Sequence, residues 1–448
     1  MVLKSENLAL TLSGKSGKAE KIFGGVSFEL PEGETGLVSG GSGSGKTLLG
    51  LSLCGFLPLW AGEWKLDGTL NFLGKPLIQG EIRTETGIVL ENPYSQISGL
   101  KQTVFEELAF PLECRGIKPE IITGAVHRIS NEFEISALLQ RNIKTLSGGE
   151  LQRIIIASAL ISGPRFLFLD RLMTEIDTGF RPRLLEIISS SVHDSNGAAL
   201  LAEDPWLIPE HRFDMTVPLG TEDDFDKARI PALGKNSHGG ELLSVESLSF
   251  GFGDGAPVLE NVSFTLSAGD LKCISGPNGA GKTTLARLIA GIIEPLSGEI
   301  VLDGKSFGAI DQWEKMALSG MALQDPGLHL CRKTVREELA LAEIWGNSQG
   351  RLTEILGLDK LLDRHPLELS QAEKKRLGMA LSYGERRKII ILDEPSQYQD
   401  SEGFGQIISA MNYILGEGKG VLLITHDPRF DGIIPDSETI RLSRADIY

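Results

Sequence analysis

A glycine loop of the form G-x-x-x-x-G-K-T occurs twice in these 448 residues, and no other feature narrows the fold as far. In the second half the apolar run Leu271–Ser275 breaks into Gly276, Pro277, Asn278, Gly279, Ala280 and Gly281. A helical pattern then begins at Lys282 and repeats through Leu285, Leu288 and Ile289. In the first half Thr35–Ser39 leads into Gly40, Gly41, Ser42, Gly43, Ser44 and Gly45, followed by Lys46 and Thr47. Small residues between a strand and a helix let the backbone curl until successive N–H groups converge on phosphate oxygens, and the helix start adds partial positive charge. In such a loop Lys282 reaches the β- and γ-phosphates and the Thr283 hydroxyl sits on Mg²⁺. Lys46 and Thr47 stand in the same two places.

The loops are landmarks of an internal duplication. Leu146-Ser-Gly-Gly-Glu-Leu-Gln-Arg153 returns as Leu369-Ser-Gln-Ala-Glu-Lys-Lys-Arg376, and Phe166-Leu-Phe-Leu-Asp170 returns as Ile389-Ile-Ile-Leu-Asp393. Leu200-Leu-Ala-Glu-Asp-Pro205 returns as Leu423-Ile-Thr-His-Asp-Pro428. All three sit at one shift of 223 positions, seen in Ser147 to Ser370, Asp170 to Asp393 and Glu203 to His426. The join falls at 225–240, where Lys-Ala-Arg-Ile-Pro-Ala-Leu-Gly-Lys-Asn-Ser-His-Gly-Gly reads as a short flexible connector between domains 1–224 and 241–448. Apolar runs alternate with helical patterns in each half, which predicts mostly parallel sheets flanked by helices. Buried strands ending at Asp170 and Asp393 would deliver carboxylates to the sheet edge where ligands bind, placed to hold the Mg²⁺ of a nucleotide.

The formal charge of −16 argues against a nucleic-acid backbone as partner, since such partners select basic faces. Cys54, Cys114, Cys273 and Cys331 have no paired spacing and read as reduced core residues. The five tryptophans are scattered and read as packing residues. No apolar run approaches the ~20 residues needed to span a bilayer, and the start Met1-Val-Leu-Lys-Ser-Glu lacks the apolar core of a signal peptide.

The ordered set of a phosphate loop, L-S-G-G-E before a helix, four apolar residues and Asp, and a T-H-D turn resembles the ATP-binding cassette (ABC) ATPases, once per half. The resemblance implies an α/β chain of two P-loop NTPase cassettes, each with a mostly parallel sheet core, an antiparallel β subdomain and a helical subdomain. In that family two cassettes pair head to tail, and each ATP lies between one phosphate loop and the other half's signature, here Ser147, Gly148 and Gly149. Val89-Leu-Glu-Asn-Pro-Tyr-Ser-Gln96 with Thr103-Val-Phe-Glu-Glu-Leu-Ala-Phe110 is similar to the cassettes of energy-coupling factor (ECF) transporters. So is Leu323-Gln-Asp-Pro326 with Thr334-Val-Arg-Glu-Glu-Leu-Ala340. Those importers take up vitamins or transition-metal ions, their cassettes lying beneath a membrane scaffold and a substrate-binding membrane subunit at the cytoplasmic face.

The two halves differ in what they keep. By resemblance, the second has a full set: Lys282, Thr283 and Thr284, Phe252 to stack on adenine, Gln324 near Mg²⁺, Asp393 on Mg²⁺, Glu394 as general base and His426 on the γ-phosphate. The first keeps Lys46, Thr47 and Asp170 for nucleotide and Mg²⁺. It has Leu48 for the second hydroxyl, Leu12 near the adenine place, Glu91 for Gln324, Arg171 for Glu394 and Glu203 for His426. Its partner signature, Ser370-Gln371-Ala372, has lost both glycines, and the Gln371 side chain is expected to crowd the approach to phosphate. An arginine stays protonated at any workable pH and is no base; Arg171 could instead pair with Glu91 or Glu203. One competent and one degenerate ATP site in a transport ATPase is the expectation. A soluble twin-cassette translation factor and a nucleotide-binding regulatory module are the alternatives.

Overall fold

The computed structural model describes residues 1–13, 19–41, 43–57, 64–81, 83–173, 176–208, 212–220, 230–234, 239–252, 257–277, 279–343 and 350–442. It divides into two compact units, Met1–Asp223 and Asp224–Tyr448. Ser42, Asn278 and most of the expected connector (225–229 and 235–238) lie outside the described residues. The described piece of that connector, 230–234, is not free. The Gly234 N–H donates to Asn412 Oδ1 (2.8 Å), the Asn412 amide donates to the Ala232 carbonyl (2.8 Å), and Ile230 and Leu233 pack on the second unit's core.

In the first unit the strands are β1 (Leu3–Ser13), β2 (Ala19–Leu30), β3 (Thr35–Ser39), β4 (Trp64–Phe72), β5 (Lys75–Pro76), β6 (Thr86–Val89), β7 (Phe166–Asp170), β8 (Ala198–Ala202) and β9 (Met215–Pro218). Its helices are α1 (Lys46–Leu53), α2 (Val104–Cys114), α3 (Pro119–Glu132), α4 (Gly148–Leu160) and α5 (Arg181–Asp194). An antiparallel sheet runs β2-β1-β4-β5 and a parallel sheet runs β6-β7-β8-β3-β9.

The second unit repeats this plan. Its strands are β10 (Glu241–Phe250), β11 (Leu259–Ser267), β12 (Leu271–Ser275), β13 (Ser297–Leu302), β14 (Lys305–Ser306), β15 (Ser319–Ala322), β16 (Ile389–Asp393), β17 (Gly420–Ile424) and β18 (Thr439–Arg441). Its helices are α6 (Lys282–Ile289), α7 (Gln312–Leu318), α8 (Val335–Glu343), α9 (Gly350–Ile355), α10 (Gln371–Ser382) and α11 (Ser401–Gly416). The sheets run β11-β10-β13-β14 and β15-β16-β17-β12-β18.

Each parallel sheet is buried on both faces, which is why its central strands are unbroken apolar runs. Side chains alternate between faces. Phe166 and Phe168 of β7 enter one core with α1 and the antiparallel sheet, while Leu167 and Leu169 enter a second with the helices α2 to α5. β16 divides in the same way, Ile389 and Ile391 against Ile390 and Leu392. The apolar residues thus spend themselves on packing, and the terminal Asp of each strand is left at the sheet edge.

Two sequence expectations fail on exposure. Cys54 and Cys273 are buried, but Cys114, the last residue of α2, and Cys331, in the loop before α8, are exposed. Trp313 is 71% exposed, because the short α7 turns Lys315, Ala317 and Leu318 inward and Trp313 outward.

Candidate nucleotide site in each half

The phosphate loops follow β3 and β12, each lying between two parallel strands. Gly40 and Gly276 lie at φ +153° and +149°, and a Cβ at either would collide with the carbonyl of Leu219 or Leu442 on the neighbouring chain segment. Gly45 and Gly281 occupy left-handed N-cap positions (φ 93° and 85°), which start α1 and α6 without a side chain in the cradle. Gly43 and Gly279 are also left-handed, and Ala280 is buried under the loop. Ser44 Oγ is buried without a hydrogen-bond partner among the described residues.

Lys46 donates to the carbonyls of Gly40 and Gly41, and Lys282 to those of Gly276 (2.8 Å) and Pro277 (3.0 Å). Both ammonium groups are thus folded over their own loops. Thr47 Oγ1 donates to Asp170 Oδ2, and Thr283 Oγ1 to Asp393 Oδ2 at 3.0 Å. Both pairs join residues far apart in the chain, as the Mg²⁺ role expected of them would need. Hydroxyl and carboxylate oxygens are the hard donors that suit this ion. Asp170 Oδ1 is buried without a hydrogen-bond partner among the described residues, an acceptor placed for a cation. Burial raises the pKa of both aspartates.

Beyond the Thr–Asp pair the halves diverge on one backbone. Glu394 and Arg171 share a left-handed conformation (φ 49° each), and each N–H donates at 2.9 Å to the strand beside it, at Ile424 or Ala202. The backbone geometry that presents the Glu394 carboxylate persists where Arg171 takes its place. Glu394 Oε2 accepts the His426 N–H (3.3 Å), and its Oε1 lies 3.9 Å from His426 Nε2. Burial, then the Asp393 charge, pushes the Glu394 carboxyl up; Lys375 opposes both. Lys375 is a cation on α10 with 3% exposure, in the place of Gln152, and sequence reading passed over it although that exchange was visible.

Arg171 Nη1 lies 3.8 Å from Glu91 Oε1, so the expected pairing goes to Glu91. Burial works against the guanidinium charge, but Asp204, Glu91, Asp170 and Glu203 outweigh it and raise its pKa. Asp204 is a member of this cluster that sequence reading missed. Glu91 and Glu203 are both pushed up to about 7 by burial. Glu203 accepts the Met173 N–H (2.9 Å) and the Asp204 N–H (3.1 Å), so it is anchored to backbone.

The one-to-one match of Glu203 with His426 needs correction. Strand pairing sets Asp170 opposite Ala202 and Asp393 opposite Ile424, a shift of 222 between the halves on this strand. The turns that follow match at 223, as the Leu207 N–H to Asp204 and Phe430 N–H to Asp427 bonds show. The first half's turn is one residue shorter, and Glu203 stands for Thr425 and His426 together.

The remaining predicted positions are placed as follows. Gln324 and Glu91 each lie two residues past the end of β15 or β6, Gln324 exposed and Glu91 26% exposed. Phe252 is 62% exposed, braced edge-on against Phe250 at 4.9 Å, whereas Leu12 is half-buried in β1. Thr284 and Leu48 are half-buried in the first turns of their helices. Ser147 caps α4 and Ser370 caps α10 through the same reciprocal bonds with Glu150 and Glu373. Gly149 and Ala372 are buried, Gly148 and Gln371 half-buried, so the signature's helix frame persists after both glycines are lost. Gln96 bonds Leu90 N–H (2.7 Å) and the Ile88 carbonyl (3.2 Å), which holds the chain leaving β6.

A glycine loop of this curvature, a lysine folded over it and a Thr–Asp pair beneath it define the P-loop nucleotide-binding core, here duplicated. The ABC transporter family profile matches residues 23–173 and 259–397. The chain is 30% identical to the putative HMP/thiamine import ATP-binding protein YkoD of Bacillus subtilis, over 93% of this chain and 86% of that one. It is 28% identical to a putative ABC transporter ATP-binding protein of Treponema denticola, over 90% of this chain and 88% of that one. Among solved structures, an archaeal ribosome recycling factor, aABCE1, in complex with the ribosomal stalk protein aP1, shares the fold at 19% identity. Its TM-score is 0.58, over 93% of this chain and 86% of that one. The chain belongs to the ABC transporter family of ATP-binding proteins, and it is an ATPase.

Proposed function

We propose that this ATPase is the energy-coupling subunit of an importer, of the ECF type, and that turnover belongs to the Lys282 half. One observation carries the division of labour: the left-handed residue after the metal-holding aspartate is Glu394 beside His426 in one half and Arg171 beside Glu91 in the other. ATP phosphates rest on the loop N–H groups, and Lys282 leaves the carbonyls of Gly276 and Pro277 for the β- and γ-oxygens. Glu394 takes a proton from water as the water oxygen bonds to the γ-phosphorus and the bond to the departing ADP oxygen breaks. His426 contacts the γ-phosphate. Mg²⁺, when bound, supplies positive charge at the phosphate oxygens; Thr283, Asp393 and Gln324 would hold it, and Thr47 and Asp170 in the first half. That half holds nucleotide without turning it over, since Arg171 accepts no proton.

Import is supported by the likeness to a protein named for HMP/thiamine import across nearly the whole chain. The ECF type is supported by the two segments that follow β6 and β15. Among the described residues no helix is long and apolar enough to cross a membrane. The reading therefore requires membrane partners, a scaffold and a substrate-binding subunit, with this chain at their cytoplasmic face. The two-cassette likeness to a ribosome recycling factor supports a second reading, a soluble translation-type ATPase. Tagged chain purified from membranes and from ribosome pellets decides between them. Import requires an integral membrane protein to co-purify stoichiometrically; co-sedimentation with ribosomes and no membrane partner would overturn it.

A further inference from the structure

The turn that carries His426 is fastened by one buried guanidinium. Arg429 is 3% exposed and forks onto Asp427, with Nε 3.0 Å from both carboxylate oxygens and Nη2 2.7 Å from Oδ2. The guanidinium lies 4.4 Å over the Phe404 ring. Its remaining reach is to the segment that follows Glu394: Nη2 donates to the Ser396 carbonyl (2.9 Å) and Nη1 to the Gln399 carbonyl (2.8 Å). Gln399, 1% exposed, donates from Nε2 to the Ala372 carbonyl (2.9 Å) in the first turn of α10. A continuous run of hydrogen bonds therefore joins the His426 turn, the segment after Glu394 and the start of α10.

The first half tests whether folding demands this run. At the matched places stand Trp206 for Arg429, Ile176 for Gln399 and Arg181 for Phe404. Cation and ring have changed places, and Arg181 Nε donates to the Ile176 carbonyl (3.2 Å), the counterpart of one bond that Arg429 makes. Ile176 has no side-chain donor for the start of α4. The first half still forms the same five-stranded sheet and the same capped signature helix. The fold does without the run, and the half that lacks it also lacks the base and the histidine.

We propose that Arg429 and Gln399 are positioning residues for hydrolysis, which hold His426 and Glu394 in register with each other and with the start of α10. The proposal rests on the Lys282 half being the competent one. Glu394 and His426 belong to neighbouring strand ends and meet through a 3.3 Å bond and a 3.9 Å approach. A displacement of about 1 Å at such a pair costs on the order of a hundredfold in rate.

Gln399→Ile, the residue of the first half, removes the bond to Ala372 and keeps the Gln399 carbonyl. In the full chain it lowers kcat tenfold or more, as an order of magnitude, with KM for ATP and melting temperature at wild-type values. Arg429→Lys keeps the charge, loses the fork and lowers kcat in the same way. The double variant is no slower than the slower single variant, because both cut one run. A kcat at the wild-type level in Gln399→Ile, or additive losses in the double variant, overturns the proposal. If Gln399→Ile melts well below wild type, Arg429→Lys decides alone by the same split of kcat from KM. Glu394→Gln separates the two claims. A wild-type rate in Glu394→Gln sinks the assignment of the competent half, whereas an inactive Glu394→Gln beside a fully active Gln399→Ile sinks the positioning role only.

Discussion

Arg171→Met removes the cation from the acidic cluster of the first half while nearly conserving side-chain length. Its Nη1 lies 3.8 Å from Glu91 Oε1. At that distance a unit pair is worth about 4 kcal/mol at an effective dielectric of ~20 and about 1 kcal/mol in water. Arg171 is 11% and Glu91 26% exposed, so the pair sits between these limits, at about 2 kcal/mol. Loss of the cation also leaves Asp204 and Glu203 without its compensation, which brings the total to about 3 kcal/mol, the range found when one partner of a buried pair is removed. For a unit of this size that lowers the melting temperature by roughly 6–12 °C. Thermal unfolding of the full chain at pH 8 by circular dichroism reads the shift. Arg171→Met/Glu91→Gln should recover part of the loss, since the second change removes the charge that the first left unpaired. ATPase activity of the single variant at a permissive temperature stays near wild type, because turnover belongs to the other half. A melting temperature within a degree of wild type, with no coupling to Glu91, would refute the view of Arg171 as the counter-ion of this cluster.

Other expectations follow from the same geometry. Glu394→Gln lowers ATP hydrolysis by about 10²–10⁴ while nucleotide binding persists, and wild-type kcat climbs with pH, because the carboxyl raised by burial and Asp393 works only when ionised; phosphate-release assays across pH check both. Lys282→Ala abolishes turnover, whereas Lys46→Ala chiefly weakens nucleotide occupancy; equal ATPase loss in both with unchanged affinity would contradict the division of labour. Glu203, pushed up to about 7, binds its proton more tightly in the folded state than its ordinary value near 4.5 allows. That contribution to stability is complete below pH 4.5 and lost as pH rises through 7, so Glu203→Gln should exceed wild type at pH 8 by about 3 kcal/mol, and urea unfolding at pH 5 and pH 8 measures the difference. Gly276→Ala forces a Cβ onto the Leu442 carbonyl at φ +149°, a strain of about 1–3 kcal/mol that calorimetry reads as lower stability together with weaker ATP binding.

Much of this protein is written in local sequence. The two glycine loops, the capped signature helices and the apolar runs ending in Asp170 and Asp393 are short-range signals, because loop curvature, helix caps and buried parallel strands each depend on a few neighbouring residues. Repetition at a near-constant shift did the rest, since it set Arg171 against Glu394 without any coordinates. What the chain alone left open depends on pairing between distant segments. Only strand register exposed the one-residue-shorter turn at Glu203, because hydrogen bonding between β7 and β8 fixes opposite residues in a way that a linear match does not. Only packing revealed that Asp204 joins the Arg171 cluster, that Lys375 lies near the second half's carboxylates, and that Arg429 lies over Phe404. These are contacts between side chains from different elements, and their energies depend on burial and distance, which a string of residues does not contain.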